Sequence, residues 1–351
     1  MAQSALLNSL DEVRAALEDE DYERLDAELD AYQATYQENL PSERLTLRRS
    51  QLSRTEMEIP SETQTTLTEY ENQQGGTNTA RAGLLAGGDI LLFDPETADS
   101  SELVDGVSDL RNQETALNDR MTAARGVISD LDLPARIALL SAEPETRSPV
   151  FGSTVSIDVT VANIGDASAE NVSLGVESSL PVSPSETTLG SVAAEETETF
   201  SVAVTADEPG EHEVTFTAET TNADTALDSA SITVLTTDDL LSAATDLIEE
   251  LIERFKDVSS FPGNKERSFV AKLQNVQKKI DRSQRAIGRR KQKQADNALN
   301  AAINQMGAFL NELDTVKEKR APSEAFVWSV EQSADAVIDQ LARAREAKIT
   351  D

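Results

Sequence analysis

One histidine, 64 carboxylates and no cysteine set the chemistry open to this 351-residue chain. His212 follows the turn Glu208-Pro-Gly210 in a strand-like run. A Ser-His-Asp relay needs a nucleophile beside the imidazole and an acid to orient it. Serine, threonine and acids are spread through the whole chain, so spacing singles out no partner, and His212 is expected to be a surface or strand-edge residue. The absence of cysteine excludes disulfides, thiolate zinc sites and a thiolate nucleophile. Paired carboxylates can hydrolyse glycosides or hold Ca²⁺, but 64 acids make pairs inevitable. EF-hand spacing is lacking, and Glu18–Asp21 reads as a solvated turn. A loosely bound divalent cation would find its ligands in loops near Asp166 or Asp224. Otherwise no cofactor is expected. The stretches Gly75–Thr79 and Ala86–Asp89 match neither the phosphate loop nor the dinucleotide fingerprint. The expectation is a protein that is not an enzyme.

Cations are the more informative residues. The net charge is −33, and its division is uneven. Residues 1–133 carry 28 acids and 10 bases, residues 134–235 carry 17 and 2, and residues 236–351 carry 19 of each. All ten lysines lie from Lys256 onward. Within 265–293 eleven cations stand against Glu266 and Asp281. Lys278, Lys279, Arg282 and Arg285 fall mostly outside the apolar seam of a helix. Arg289, Arg290, Lys291 and Lys293 cluster at the turn that follows, where cations also complement a helix C-terminus. Three outcomes are open: a solvated face paired with acidic helices of the same chain, docking on an acidic protein or glycan surface, and nucleic-acid binding. The last is disfavoured, because aromatics are not interleaved with the cations.

An acidic excess of this size repels itself in dilute buffer, and the repulsion is largely screened at molar salt, where the Debye length is about 3 Å. A halophilic source, haloarchaeal or viral, is expected. No apolar run approaches the roughly 20 residues of a membrane span. The first residues, from Met1 to Leu7, lack a charged n-region and an apolar core, so a signal peptide is not expected. Asn171-Val-Ser173 is the one N-glycosylation sequon.

Periodicity supplies the elements that must position these groups. Residues 1–133 read as helices. Leu6, Leu10, Val13 and Leu17 form one stripe, with Ser9 and Glu12 as a capping box. Tyr22, Leu25, Leu29, Tyr32 and Tyr36 form another, ended by Pro41. A third segment from Ser42 toward Asn72 should break before Pro60. Gln73–Thr79 reads as a loop, and Leu84–Phe93 as a short apolar piece closed by Asp94-Pro95. Leu103, Val107, Leu110, Leu117, Met121, Ala124, Val127 and Leu131 mark a long helix. These pieces suit a bundle or coiled hairpin serving as a stalk. At Pro134 the period changes to two, and six or seven short strands to residue 235 predict an antiparallel sandwich. From residue 236 four stripes predict a four-helix module, with Gly263 and Gly288 at turns and Pro322-Ser323 opening the last helix. The fold class is therefore multidomain α plus all-β, divided at 1–133, 134–235 and 236–351.

Two resemblances follow. Val159-Thr-Val-Ala-Asn-Ile-Gly-Asp-Ala-Ser-Ala-Glu-Asn-Val-Ser-Leu174, with Leu189-Gly-Ser-Val-Ala-Ala-Glu-Glu-Thr-Glu-Thr-Phe-Ser-Val202 and Pro209-Gly-Glu-His-Glu-Val214, resembles a CARDB-type Ig-like module of archaeal and bacterial surface proteins. Leu273-Gln-Asn-Val-Gln-Lys-Lys-Ile280, Asn300–Leu313 and Ala334–Leu341 resemble the FIMAH domain, a helical module near the C-termini of secreted proteins. The basic insert around Gly288 departs from the short turn expected there. Together the resemblances imply a non-enzymatic, extracellular or cell-surface adhesion protein of a halophile, displaying an Ig-like domain and assembling through its helical regions. The alternatives are a spike, fibre or decoration protein of a halophilic archaeal virus, with a virion location, and a polysaccharide-binding accessory subunit. Because helices flank the sandwich on both sides, the two helical regions could also pack together, acidic against basic.

Overall fold

The computed structural model describes residues 2–93, 100–257, 263–317 and 324–347. Eight helices and eight strands are assigned among them. The first unit comprises α1 (Ala2–Glu18), α2 (Tyr22–Glu56), α3 (Ser61–Phe93) and α4 (Ser100–Ile128). Leu6, Leu10, Val13 and Leu17 meet Leu25, Leu29, Tyr32, Leu91, Val107 and Leu110 in one apolar core.

Several local expectations fail here, each for a packing reason. Ser9 is mid-helix, because α1 starts seven residues earlier at Ala2. Pro41 does not end a helix but lies inside α2. An interior proline costs about 3 kcal/mol, and the face formed by Tyr32, Leu40, Glu43, Thr46 and Arg49, all buried, outweighs it. Gln73–Thr79 is not a loop but part of α3, where Gln74 and Thr77 are buried and Gln73 Nε2 donates to the Gln113 carbonyl of α4. Farther along α3 two glycines allow close approach: a Cβ at Gly88 would lie 2.5 Å from Leu29, and one at Gly87 2.5 Å from Leu103. The break before Pro60 is observed, between Glu56 and Ser61. Asp94-Pro95 and Pro322-Ser323 lie outside the described residues.

The sandwich pairs sheet β1-β2-β6-β4 with sheet β5-β3-β7-β8. The strands are β1 (Ile137–Pro144), β2 (Thr154–Asn163), β3 (Ala169–Ser178), β4 (Val182–Ser183), β5 (Glu186–Val192), β6 (Thr197–Thr205), β7 (Gly210–Glu219) and β8 (Ala226–Val234). Eight strands replace the six or seven expected, the two-residue β4 being too short to show a period. Inward Val155, Ile157, Val159, Val161, Leu174, Val202, Val204, Val214 and Phe216 fill the core.

Strand β1 is buried on both faces from Ile137 to Leu140, which a free sheet would not allow. The cause is α2. Ala138 and Leu140 face outward into an apolar cluster that also holds Leu52 of α2 and Leu117, Ala124 and Ile128 of α4. Arg44 pairs with Glu143 at 2.8 Å and Glu56 with Arg136 at 2.8 Å, so α2 runs antiparallel beside β1.

The last unit is α5 (Thr237–Asp257), α6 (Gly263–Ile287), α7 (Gln292–Lys317) and α8 (Glu324–Glu346). Its core holds an aromatic nest: Phe255 stacks on Phe269 at 5.0 Å and meets Phe309 and Phe326 edge-on at 5.7 and 5.6 Å. Thr236 and Asp239 cap α5 reciprocally, each accepting the other's backbone N–H, at 3.2 and 2.8 Å. Val150 and Leu235 of the sandwich pack into this core, and Arg343 donates to the Ser148 carbonyl at 2.6 Å. Trp328 of α8 packs against the core of the first unit. The two helical regions therefore touch directly. The contact is apolar rather than acidic against basic, and no ion pair joins them among the described residues.

Candidate functional site

Arg49 and Asp166 pair at one of the two places considered for a loosely bound cation. Asp166 accepts from Arg49 Nη2 at 2.7 Å and caps the Leu133 N–H at 2.7 Å. Arg49, 5% exposed, also pairs with Glu195 at 2.8 Å. Asp224 pairs with Arg136. Among the described residues no three His, Asp or Glu side chains converge as metal ligands. The surrounding turn does structural work. Buried Asn163 donates to the Ala167 and Val192 carbonyls and accepts from Gly165 N. A Cβ at Gly165 would come within 1.9 Å of the Pro134 carbonyl oxygen, so only glycine fits.

His212 is not a surface residue. It is 8% exposed, on β7 between two hydrogen bonds. Nε2 faces the Glu208 carbonyl at 2.8 Å, which only a protonated nitrogen can satisfy. In the neutral ring Nδ1 therefore accepts from Ser179 Oγ at 2.9 Å. A backbone carbonyl stands where a relay would place its orienting acid, so His212 ties two turns together. Asn171 is exposed at a register shift in β3, with φ +52°, and its Nδ2 donates to Thr221 Oγ1 at 3.2 Å.

Sequence reasoning missed a buried polar cluster in the first unit. Arg81, 2% exposed, forks between Glu114 (two bonds at 2.6 Å) and Glu43 (two at 2.9 Å). Tyr36 lies under its guanidinium at 4.2 Å, and Tyr32 OH donates to Glu114 at 3.1 Å. Burial, reinforced by the Glu114 charge, pushes the Tyr32 phenol far above its usual value. Two carboxylates against one guanidinium make this a structural clamp. Isolated polar residues on apolar stripes leave no periodic signal.

The basic segment is different. At the end of α6, Lys291 N–H reaches the Ala286 carbonyl at 2.9 Å and Arg290 N–H the Ile287 carbonyl at 2.7 Å. This is the paired-bond ending of a Schellman motif. Its left-handed position is not Gly288 but Arg290, at φ +53°. Lys291 then opens α7, whose carbonyl accepts from Ala295 N at 3.1 Å.

Arg289, Arg290, Lys291, Lys293, Lys278, Arg282 and Arg285 are exposed, and Lys279 is half-buried. Arg285 donates to the Asp281 carbonyl and Lys279 to Gln305, and none of the eight has an acidic partner among the described residues. These cations form a solvated face, and no ion pair ties them to an acidic helix among the described residues. Elsewhere on α6 the cations are used internally: Lys272 and Lys265 bond Glu312 and hold its carboxyl below the usual range, with Lys272 the main cause. At the turn, Arg285 and Arg289 suit the C-terminus of α6, whereas Lys291 and Lys293 crowd the N-terminus of α7, the positive end of its dipole. No acid offsets them in the first turn of α7. The result is a cationic tip with anion-binding polarity.

The CARDB family model matches residues 137–228, and those residues carry a CARDB domain. No curated protein matches the chain. Among solved structures, a sporulation control protein of Bacillus subtilis is 18% identical. The match covers 34% of this chain and 56% of that one, with a TM-score of 0.23. A CARDB domain from Pyrococcus furiosus, solved in complex with di-metal ions, is 12% identical over 30% of this chain and 91% of its own, also at 0.23. Scores this low add nothing to the family match. No described helix is long and apolar enough to cross a membrane.

Proposed function

We propose that this protein is a non-enzymatic structural and adhesion protein of a halophile's cell surface, which mounts a CARDB domain on a helical frame and assembles through that frame. The observation carrying the reading is the cationic tip. Arg289, Arg290, Lys291 and Lys293 stand exposed, with no acidic partner among the described residues, in a chain of net charge −33. Most surfaces of the molecule repel other acidic surfaces, and this turn attracts them.

The mounting of the sandwich supports the same role. Part of one sheet is covered by α2 and α4. The other carries Ser173, Glu177, Thr215, Thr217 and Glu219 half-buried or exposed, as a display face would. The FIMAH resemblance of residues 236–351 belongs to this extracellular reading, as does glycosylation at exposed Asn171. The test is sedimentation velocity of the full chain beside a variant with the four tip cations changed to glutamine, at physiological and at molar salt. Concentration-dependent association that the variant loses is expected. A monomeric wild type, or a variant that associates equally well, overturns the reading.

A further inference from the structure

Between α3 and α4 runs an open groove of about 560 Å³, lined by Ala80, Leu84, Ile90 and Leu103, and by Gly83 and Gly106. Ile90 is 60% exposed, one of two large apolar side chains so exposed among the described residues. Glu102 and Asp109, two helical turns apart on α4, line the same groove, and neither has a cationic partner among the described residues. The glycines separate into two kinds. A Cβ at Gly87 would strike Leu103, but at Gly83 or Gly106 it would meet nothing within 4 Å. Glycine inside a helix is destabilising relative to alanine, and the packing of this chain does not require it at 83 or 106. What these two positions provide is open volume.

We propose that this groove receives the α6–α7 tip of a second copy of the chain. The inference rests on the assembly role of that tip and names its partner surface. Charge complementarity selects the occupant: the tip concentrates unpaired cations, and the groove sets unpaired carboxylates in a region of 28 acids against 10 bases. Tip and groove lie on different units, so each contact joins unlike surfaces, which closes into a ring or pair or propagates as a chain.

The experiment is a charge exchange on the full chain. One variant carries R289E, R290E, K291E and K293E, and the other carries E102K and D109K. All six residues are exposed, and circular dichroism checks that each variant is folded. Each variant alone should lose association by roughly tenfold or more, since like charges then face each other. Mixing the two restores opposite charges across both contacts and should restore association. Gly83→Phe, which fills the groove without changing charge, should also abolish it. If only the tip variant loses association, and the groove variants and the mixture behave as though the groove were irrelevant, this inference falls while the assembly role of the tip stands. If neither set matters, or the wild type is monomeric, both fall.

Discussion

Arg49 of α2 donates to Asp166 of the sandwich at 2.7 Å, across 117 residues of chain. The bond joins the middle of the first helical unit to a turn of the CARDB domain, and Glu195 shares the same guanidinium. Arg49→Met should leave Asp166 with only its backbone partner and lower stability by about 1 kcal/mol, because Asp166 and Glu195 both stay in reach of water. Calorimetry should then resolve separate transitions for bundle and sandwich. A single transition at the wild-type temperature would show that the clamp couples nothing.

Arg81→Met should be the more damaging substitution. It leaves Glu43 and Glu114 facing each other in the interior without a cation, at a cost of about 3–5 kcal/mol. Adding Glu43→Gln and Glu114→Gln should recover much of the loss, because the uncompensated charges disappear. Urea unfolding of the single and the triple variant beside the wild type measures both effects.

The buried phenols predict alkaline weakness. Burial raises Tyr32 and Tyr70 above the usual 10.0, with Glu114 and Glu43 adding to it. Unfolded tyrosines ionise near 10, so below that pH their contribution is intact. As pH rises past 10 the unfolded state loses protons that the native state keeps, and stability falls by up to about 1.4 kcal/mol per pH unit for each group. Tyrosinate absorbance should therefore appear together with loss of helical ellipticity. Ionisation of Tyr32 and Tyr70 in a fully helical protein near pH 10 would contradict this.

Arg290→Gly offers a trade in the opposite direction. The left-handed backbone at φ +53° is strained for arginine and free for glycine, so the variant should gain about 1 kcal/mol. It should also associate less well, because one tip cation is gone. Thermal melts and sedimentation read the two effects separately.

Legibility in the sequence followed the type of side chain that does the packing. The alternation Val155, Ile157, Val159, Val161 and the stripe Phe269, Leu273, Val276, Ile280 each place apolar groups on one face, and the elements follow. In the first unit polar groups do the packing: Thr77, Gln74, Glu43, Glu114 and Arg81 are buried, and a reading of apolar period sees them as loop or surface. The cationic turn was visible as a charge run. Its lack of acidic partners was not, because that depends on where distant helices point. Asp166 looked like a candidate metal ligand for the same reason: its arginine sits 117 positions away.

Trp328 lies on the last helix and packs against the core of the first unit. The ribosome makes α1 to α4 first, yet a part of their apolar surface finds its cover only after α8 has been synthesised. Domains generally fold in order of synthesis, so the nascent first unit waits with an uncovered patch while more than 200 residues are added. Closure of that patch therefore waits on the synthesis of α8. As the single tryptophan of the chain, Trp328 reports that moment by its own fluorescence.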